Sequence, residues 1–395
     1  MNRTTTRARR AGLAAAASLG LVAGLSACGT ESTAQAEGGR ALTVTSSDDA
    51  CDVSGAEAPE GTLTFEVSNA GSEVTEFYLL GDDGLRVLGE VENIGEGDSS
   101  TLTVKAPAGT YYTSCRPGMK GDGIRNAFTV TASDEGKEQL AEGTDDQKVQ
   151  EALAAYKLYV RDQSAQLLEQ TTRFVELYEA GDQDDEARAL YPVARQHWER
   201  IETVAESFGD LDPLMDAREA DVVAGEEWTG WHRIEKDLWP ARAEKYRALT
   251  PQERVTYGDD LLANTKKLDQ KIQGLDYTVV DLGNGSRGLL EEVASGKVTG
   301  EEEYWSRTDL WDFQANVDGA RVAFENLQPV LAEKDPELAQ TLTTRFDELQ
   351  ALLDTHRSGD GFVTYDQLSK DEVGALVDAV NALSEPLSRL TATVA

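Results

Sequence analysis

Apolar residues along this chain keep two different rhythms. Between Leu42 and Thr131 they alternate with polar ones: Leu63, Phe65 and Val67 are separated by Thr and Glu, Leu102 and Val104 by Thr, Phe128 and Val130 by Thr. A period of two belongs to a strand with one buried face. Turn residues punctuate the pattern at Asn69-Ala70-Gly71-Ser72, Gly81-Asp82-Asp83-Gly84 and Pro107-Ala108-Gly109. Roughly seven short strands spaced in this way predict a β-sandwich over 41–133.

The stretch from Ser133 to Gln150 is rich in Asp, Glu, Gly and Lys and has no apolar rhythm, which predicts a linker over 134–148. Beyond it Leu153, Tyr156, Val160, Leu167, Phe174 and Leu177 recur at helical spacing, and that period continues to the C-terminus. Breaks fall near Gly181, Asp212-Pro213, Pro251, Gly283 to Gly288 and Gly359 to Gly361. The expected fold class is therefore multidomain β + α, a sandwich followed by an all-α helical bundle over 149–395. Gly283-Asn284-Gly285-Ser286-Arg287-Gly288 has the spacing of a dinucleotide loop, but that reading needs a βαβ unit. Inside a helical domain it predicts a turn joining two helices. Asp354 to Gly361 begins like a calcium loop, yet its twelfth position is Tyr365 where a bidentate Glu is needed.

Charge narrows the partners. Of 395 residues, 72 are Asp or Glu against 37 Lys or Arg, a net charge of −35. Phosphate neutralisation needs a basic face, so nucleic acid is excluded, while cations fit as ligands. The N-terminus joins Arg3, Arg7, Arg9 and Arg10 to an apolar run from Ala11 to Leu25 and then Leu25-Ser26-Ala27-Cys28. That order is an export leader over 1–27, and its ending resembles a bacterial lipobox in which Cys28 carries the lipid. Residues 28–40 would be a tether. The expected location is exported, lipid-anchored to the outer face of the bacterial cell membrane, since no later stretch is long and apolar enough to span a bilayer. In such an oxidising compartment Cys51 and Cys115 form a disulfide, a pair of metal ligands, or each in different states.

The chain has 3 His, so Gly230-Trp231-His232-Arg233-Ile234-Glu235 draws notice. On a helix His232 and Glu235 share a face one turn apart. Glu199 and Glu202 repeat this spacing in a second helical stretch, and carboxylate-bridged metal bundles collect ligands from facing helices in this way. Asp216, Asp309 and Asp312 are further candidate acids. A zinc peptidase would need a second imidazole on the same helix, and position 236 is Lys, so a metallopeptidase is the weaker enzyme-class alternative. A cell-surface polymer-binding protein is a third reading, and it requires an exposed groove of aromatic residues.

The stretches 191–213 (YPVARQHWERIETVAESFGDLDP), 216–221 (DAREAD), 230–240 (GWHRIEKDLWP) and 308–320 (TDLWDFQANVDGA) closely resemble the imelysin-type, peptidase-like domain of EfeO-type iron-uptake components. The resemblance implies metal binding by His232 and Glu235, with Glu199, Glu202, Asp216 and Asp309 completing an acidic pocket. One departure bears on Asp309: the family reads Ser-His-Thr-Asp-Leu where this chain has Ser306-Arg307-Thr308-Asp309-Leu310.

Gly109 to Met119 resembles the closing strands of a cupredoxin, but a blue-copper site needs two His and residues 1–196 have none. The cupredoxin-like domain of the same family implies a different site at Cys51, Glu76 and Cys115, assisted by Glu90 and Glu92. Thiolates there would favour copper and carboxylates a harder ion such as ferric iron. The family further implies iron, ferrous or ferric, as cargo, zinc as a surrogate, and capture or oxidation of iron, while the missing zinc-peptidase histidines speak against hydrolysis despite the peptidase-like name. Its partners would be an EfeU-type iron permease and an EfeB-type haem peroxidase, with contact to the membrane through the lipid alone.

Overall fold

Strands form where the period of two runs, and there are nine in two sheets. Antiparallel and parallel pairings give one sheet in the order β2 (Cys51–Val53), β1 (Ala41–Ser46), β4 (Gly61–Asn69), β7 (Ser99–Ala106). The other runs β3 (Glu57–Pro59), β9 (Ile124–Thr131), β8 (Gly109–Cys115), β5 (Thr75–Leu80), β6 (Val87–Ile94). Leu63, Phe65 and Val67 point inward as their alternation predicts, and Phe65 meets Phe77 and Phe128 at ring-centroid distances of 5.2 and 5.8 Å. This computed structural model describes residues 39–141, 145–222, 225, 227–295 and 297–394, all within one compact unit. The leader and Cys28 lie outside the described residues.

Strand β5 departs from simple alternation, because every one of its residues is buried. Phe77 and Leu79 enter the sandwich core, whereas Tyr78 and Leu80, with Val87 of β6, belong to the core of the helices. Cys51 and Cys115 are joined in a disulfide that ties β2 to the end of β8 across the two sheets, with Cα atoms 5.4 Å apart.

The acidic stretch read as a linker is instead mostly helix. Asp134–Ala141 form α1, and α2 already begins at Asp145. Its polar residues find partners on the sandwich: Gln139 Oε1 accepts from the Thr62 amide at 2.9 Å and Glu60 accepts from the Ser133 amide at 2.7 Å. Helix α2 (Asp145–Ala180) is 36 residues long, about 54 Å at 1.5 Å per residue. It packs on α3 (Asp184–Ile201), α6 (Pro251–Ile272) and α8 (Asp309–Lys334), and also along β6. Short α4 (Leu211–Asp216) and α5 (Trp231–Leu238) lie between α3 and α6 in sequence. Thr250 and Glu253 form a reciprocal cap at the start of α6, with Pro251 in the first turn, where its missing N–H costs nothing.

The remaining helices are α7 (Val279–Ser295), α9 (Pro336–Asp354), α10 (Lys370–Leu387) and α11 (Leu390–Val394). The expected turn at Gly283 to Gly288 is therefore corrected: these residues lie inside α7. A Cβ at Gly285 would collide with the Thr203 carbonyl and one at Gly283 with the Thr391 side chain. The glycines let α7 approach its neighbours closely, a tertiary demand that overrides their weak helix propensity. The calcium-like stretch forms a hairpin, β10 (Arg357–Ser358) and β11 (Gly361–Phe362), turning at Gly359 with φ +60°.

None of the six tryptophans is exposed, and Trp231 packs against Phe174 and Tyr191 in the core. Trp198 and Trp305 are buried as well, while Trp228, Trp239 and Trp311 are half-buried. No helix of the described residues is long and apolar enough to cross a membrane.

Candidate metal centre

Helix α5 owes its position to Gly230. The backbone there has φ +85°, and a Cβ would strike the Met215 carbonyl, so only glycine lets the start of α5 close on the end of α4. The approach sets Asp216, last residue of α4, beside His232 in the first turn of α5. A segment between α7 and α8 then brings Glu302 and Glu303 to the same ring.

His232 is fully buried, and each ring nitrogen faces carboxylates. Nε2 lies 3.5 Å from Asp216 Oδ1 and 3.4 Å from Glu302 Oε1; Nδ1 lies 3.4 Å from Glu235 Oε2 and 3.8 Å from Glu303 Oε1. In each triad, Asp216–His232–Glu302 and His232–Glu235–Glu303, one donor atom per residue falls within 4.8 Å of the others.

The carboxylates of both triads are partnered, Asp216 accepting from Arg195 and, at 2.9 Å, from the Trp198 indole, so the two triads differ in the ring nitrogen they face. Glu235 Oε1 already accepts from the Trp305 and Ser306 amides, at 2.7 and 2.6 Å. Glu303 accepts from Tyr191 at 3.1 Å and from the Ser306 hydroxyl at 2.6 Å, and it pairs with Arg195 Nε at 2.8 Å. On the other side, His232 Nε2 has no hydrogen-bond partner although it is buried. A neutral imidazole ligates through one nitrogen while a carboxylate on the other fixes its orientation. The geometry therefore suits an ion at Nε2, Asp216 and Glu302, with Glu235 orienting the ring through Nδ1.

Two buried cations of the chain share this acidic region, and half-buried Arg218 reaches Glu302 at 3.8 Å. Arg195 is buried among Glu199, Asp216, Glu302, Glu303 and Asp312, ion-paired to Glu199 and Asp216. Lys297 Nζ lies 2.6 Å from Glu199 Oε2 and 2.7 Å from Glu202 Oε2. Burial works against the Glu199 carboxylate, yet Lys297 and Arg195 hold its pKa below the ordinary range. Burial, and then the Glu199 charge, push Glu202 well above it. Burial and Arg195 oppose a charged His232, but the surrounding carboxylates of Glu235, Glu302 and Asp216 outweigh them and raise its pKa to about 10. Burial lifts Asp309 to about 7.

The residues singled out from sequence divide accordingly. His232, Glu235 and Asp216 come together; Glu199 and Glu202 lie in the same acidic region but face Lys297. Asp309 does not reach His232: it caps the amide of Glu303 through Oδ1 at 3.1 Å. Arg307, the family departure, takes φ +67°, donates to the Gly300 carbonyl at 3.1 Å and stacks on Tyr304 at 4.8 Å, away from the acids. Sequence reasoning missed Glu302, Glu303, Arg195 and Lys297. Glu301-Glu302-Glu303 reads as a solvated run, and its only signal is its place a few residues ahead of Thr308-Asp309-Leu310-Trp311-Asp312.

In the sandwich the expected set Cys51, Glu76, Cys115 and Glu90 does not form one site. Cys115 pairs with Phe77 across β5 and β8, so its side chain shares the face that enters the sandwich core, where the disulfide is buried. Glu76 is on the opposite face of β5, as is Tyr78, whose partner on β6 is Glu90. Those carboxylates and the exposed Glu92 line a cavity of about 730 Å³ between the sandwich and α2, together with Arg116 and Asp162. Burial raises Glu76 to about 7 against the pull of Arg116, and burial with the Glu92 charge raises Glu90 to about 8. With both sulfurs in a disulfide no thiolate is left, and the carboxylates that line the cavity suit a hard ion.

Comparison with known proteins agrees with both halves. Residues 152–390 match the imelysin family and residues 19–130 a cupredoxin-like domain. The chain is 35% identical over 361 residues to the iron uptake system component EfeO of Yersinia pestis, covering 91% of this chain and 92% of that protein. It is 34% identical to EfeO of Escherichia coli strain K12, over 88% of this chain and 89% of that one. An Efem/EfeO family lipoprotein of Staphylococcus haemolyticus is 42% identical over 64% of this chain and 86% of its own length.

Proposed function

The chain belongs to the EfeO family of iron uptake system components, and from that premise we propose that it captures iron outside the cytoplasm at His232, Asp216 and Glu302 and delivers it to a ferric permease. The observation that carries this reading is the buried, unpartnered His232 Nε2 held 3.4–3.5 Å from two carboxylates. One imidazole and two anionic oxygens suit ferrous and ferric iron, and zinc can stand in for either as a probe. Binding, rather than hydrolysis, fits this donor set. His197, another imidazole of the bundle, is hydrogen-bonded to Gln163 at 2.9 Å and is not among the carboxylates around His232.

The cavity of Glu76 and Glu90 supplies a second position for a hard cation. Ferrous iron held by such oxygens would give one electron to dioxygen or to a haem partner and remain as ferric ion, the state that carboxylates favour. An EfeU-type permease and an EfeB-type haem peroxidase are the expected partners, and lipid on Cys28 the tether to the outer face of the cell membrane.

Calorimetric titration of ferrous iron and zinc into the full chain tests the bundle site. Loss of one binding step in His232→Ala, and a weakened step in Glu302→Gln, are the expected results. Unchanged binding in both variants would remove the site from the reading.

A further inference from the structure

We propose that Lys297 occupies a second cation position in the bundle centre and thereby limits that centre to one metal ion. The proposal rests on the reading that His232, Asp216 and Glu302 take iron, and concerns the adjoining pair Glu199 and Glu202.

Lys297 stands in a short 3₁₀ segment, Lys297–Thr299, and is only 2% exposed. Its ammonium bridges one oxygen from each of two carboxylates, Glu199 Oε2 at 2.6 Å and Glu202 Oε2 at 2.7 Å. Asn316 Nδ2 donates to the same two oxygens, at 2.9 Å each. An ammonium is a compact point charge on a flexible stem, so its place among carboxylate oxygens is one that a metal ion can also fill. The Asn316 amide carries a second sign. It is fully buried and its Oδ1 has no hydrogen-bond partner. Half a turn of that amide would bring its neutral oxygen to an ion between Glu199 and Glu202 as a third ligand, in exchange for the bonds that Nδ2 now gives to those carboxylates and, at 3.1 Å, to the Glu199 carbonyl.

The wider arrangement has the same logic. Carboxylates and cations alternate through the centre: Glu202, Lys297, Glu199, Arg195, Asp216, and then the position at His232 Nε2. Arg195 cannot be replaced by a single ion in this way, because its planar fork spans Glu199, Asp216 and Glu303 at once. Lys297 can. The chain thus fills two of these three positions with its own side chains and leaves the one at His232 Nε2 for cargo.

Manganese(II) serves as the probe, counted by metal analysis and by titration of the full chain. Lys297→Gln is expected to bind one more ion per chain than the wild type, and Lys297→Arg the same number as the wild type. The metal-free Lys297→Gln protein should melt below the wild type and recover more on adding manganese(II). An unchanged ion count in folded Lys297→Gln overturns the proposal. So does a Lys297→Gln chain that fails to fold in manganese(II) as well as without it, since a position that metal cannot fill is a structural ion pair. The double variant Lys297→Gln/His232→Ala separates the two readings: the added ion should remain while the one at His232 is lost. An added ion with no effect of His232→Ala on the count would instead defeat the His232 site and leave the Lys297 position standing.

Discussion

Arg116 of the sandwich and Asp162 of α2 form an ion pair across the junction of the two halves, with 3% and 6% of their surfaces exposed. Arg116 also lies 3.5 Å from Glu76 Oε1 and stacks on Tyr78 at 4.2 Å. Asp162 Oδ2 accepts from Gln163 and Gln166, at 3.1 and 2.9 Å. Removing Asp162 leaves the buried Arg116 charge with only the more distant Glu76. Asp162→Ala should therefore cost about 3–5 kcal/mol, whereas Arg116→Met/Asp162→Leu should cost much less. Chemical denaturation of the two variants checks this, and equal losses would show that the pair is solvated.

Glu235 and Glu302 should respond differently to the same substitution. Glu302→Gln removes a ligand charge at Nε2, while Glu235→Gln loosens the orientation of the ring, an effect of about 10–100-fold on metal affinity. Because Glu235 also anchors the Trp305 and Ser306 amides, its variant should lose stability without metal as well. Melting temperatures of the metal-free proteins distinguish the two.

His197 predicts a pH dependence. Burial, then Arg200 and Arg116, lower its pKa from 6.5 to about 3 in the folded chain. The unfolded chain thus binds the proton first: the stabilising contribution is complete above pH 6.5 and is lost as pH falls from there towards 3. The slope amounts to about 1.4 kcal/mol per pH unit. Glu76 and Glu90, with raised values, act in the opposite sense, so the test is the difference between wild type and His197→Gln. That difference should shrink as pH drops from 6.5 to 4; a constant one would place the imidazole in water.

The disulfide closes a separation of 64 residues, worth about 4 kcal/mol on the chain-entropy estimate. Cys51→Ser/Cys115→Ser should melt well below the wild type yet keep its iron and zinc binding. Loss of a binding step would return the thiols to the donor set.

Gly285→Ala should destabilise the bundle by about 1–3 kcal/mol, because the atom in the way is the Thr203 backbone carbonyl, which cannot rotate aside. At Gly288, where a Cβ would meet nothing, the same change should be neutral or slightly stabilising.

The two periods of the chain located the sandwich and the bundle, because burial of one face leaves its mark on spacing. The break at Pro251 was equally legible. Gly283 to Gly288 misled, since a glycine needed for close helix packing and one needed for a turn are the same letter. His232 stood out by rarity, and its helix partner Glu235 by spacing. Glu302 and Lys297 did not, because nothing local distinguishes a buried charge from a solvated one: only the fold decides which member of an acidic run turns inward. The neutralisation of Glu199 and Glu202 by a lysine almost a hundred positions away has no local signature at all.

Strand β5 has an interior on both sides, so the sandwich cannot be lifted from the helices as a module. Cutting the chain between them would expose Tyr78, Leu80 and Val87 to water and leave Arg116 facing an empty socket. Heating should accordingly melt the described chain in a single transition, and an isolated cupredoxin-like fragment would be a sticky object rather than a small stable protein. What sequence divides into two chapters, the fold binds along a common spine.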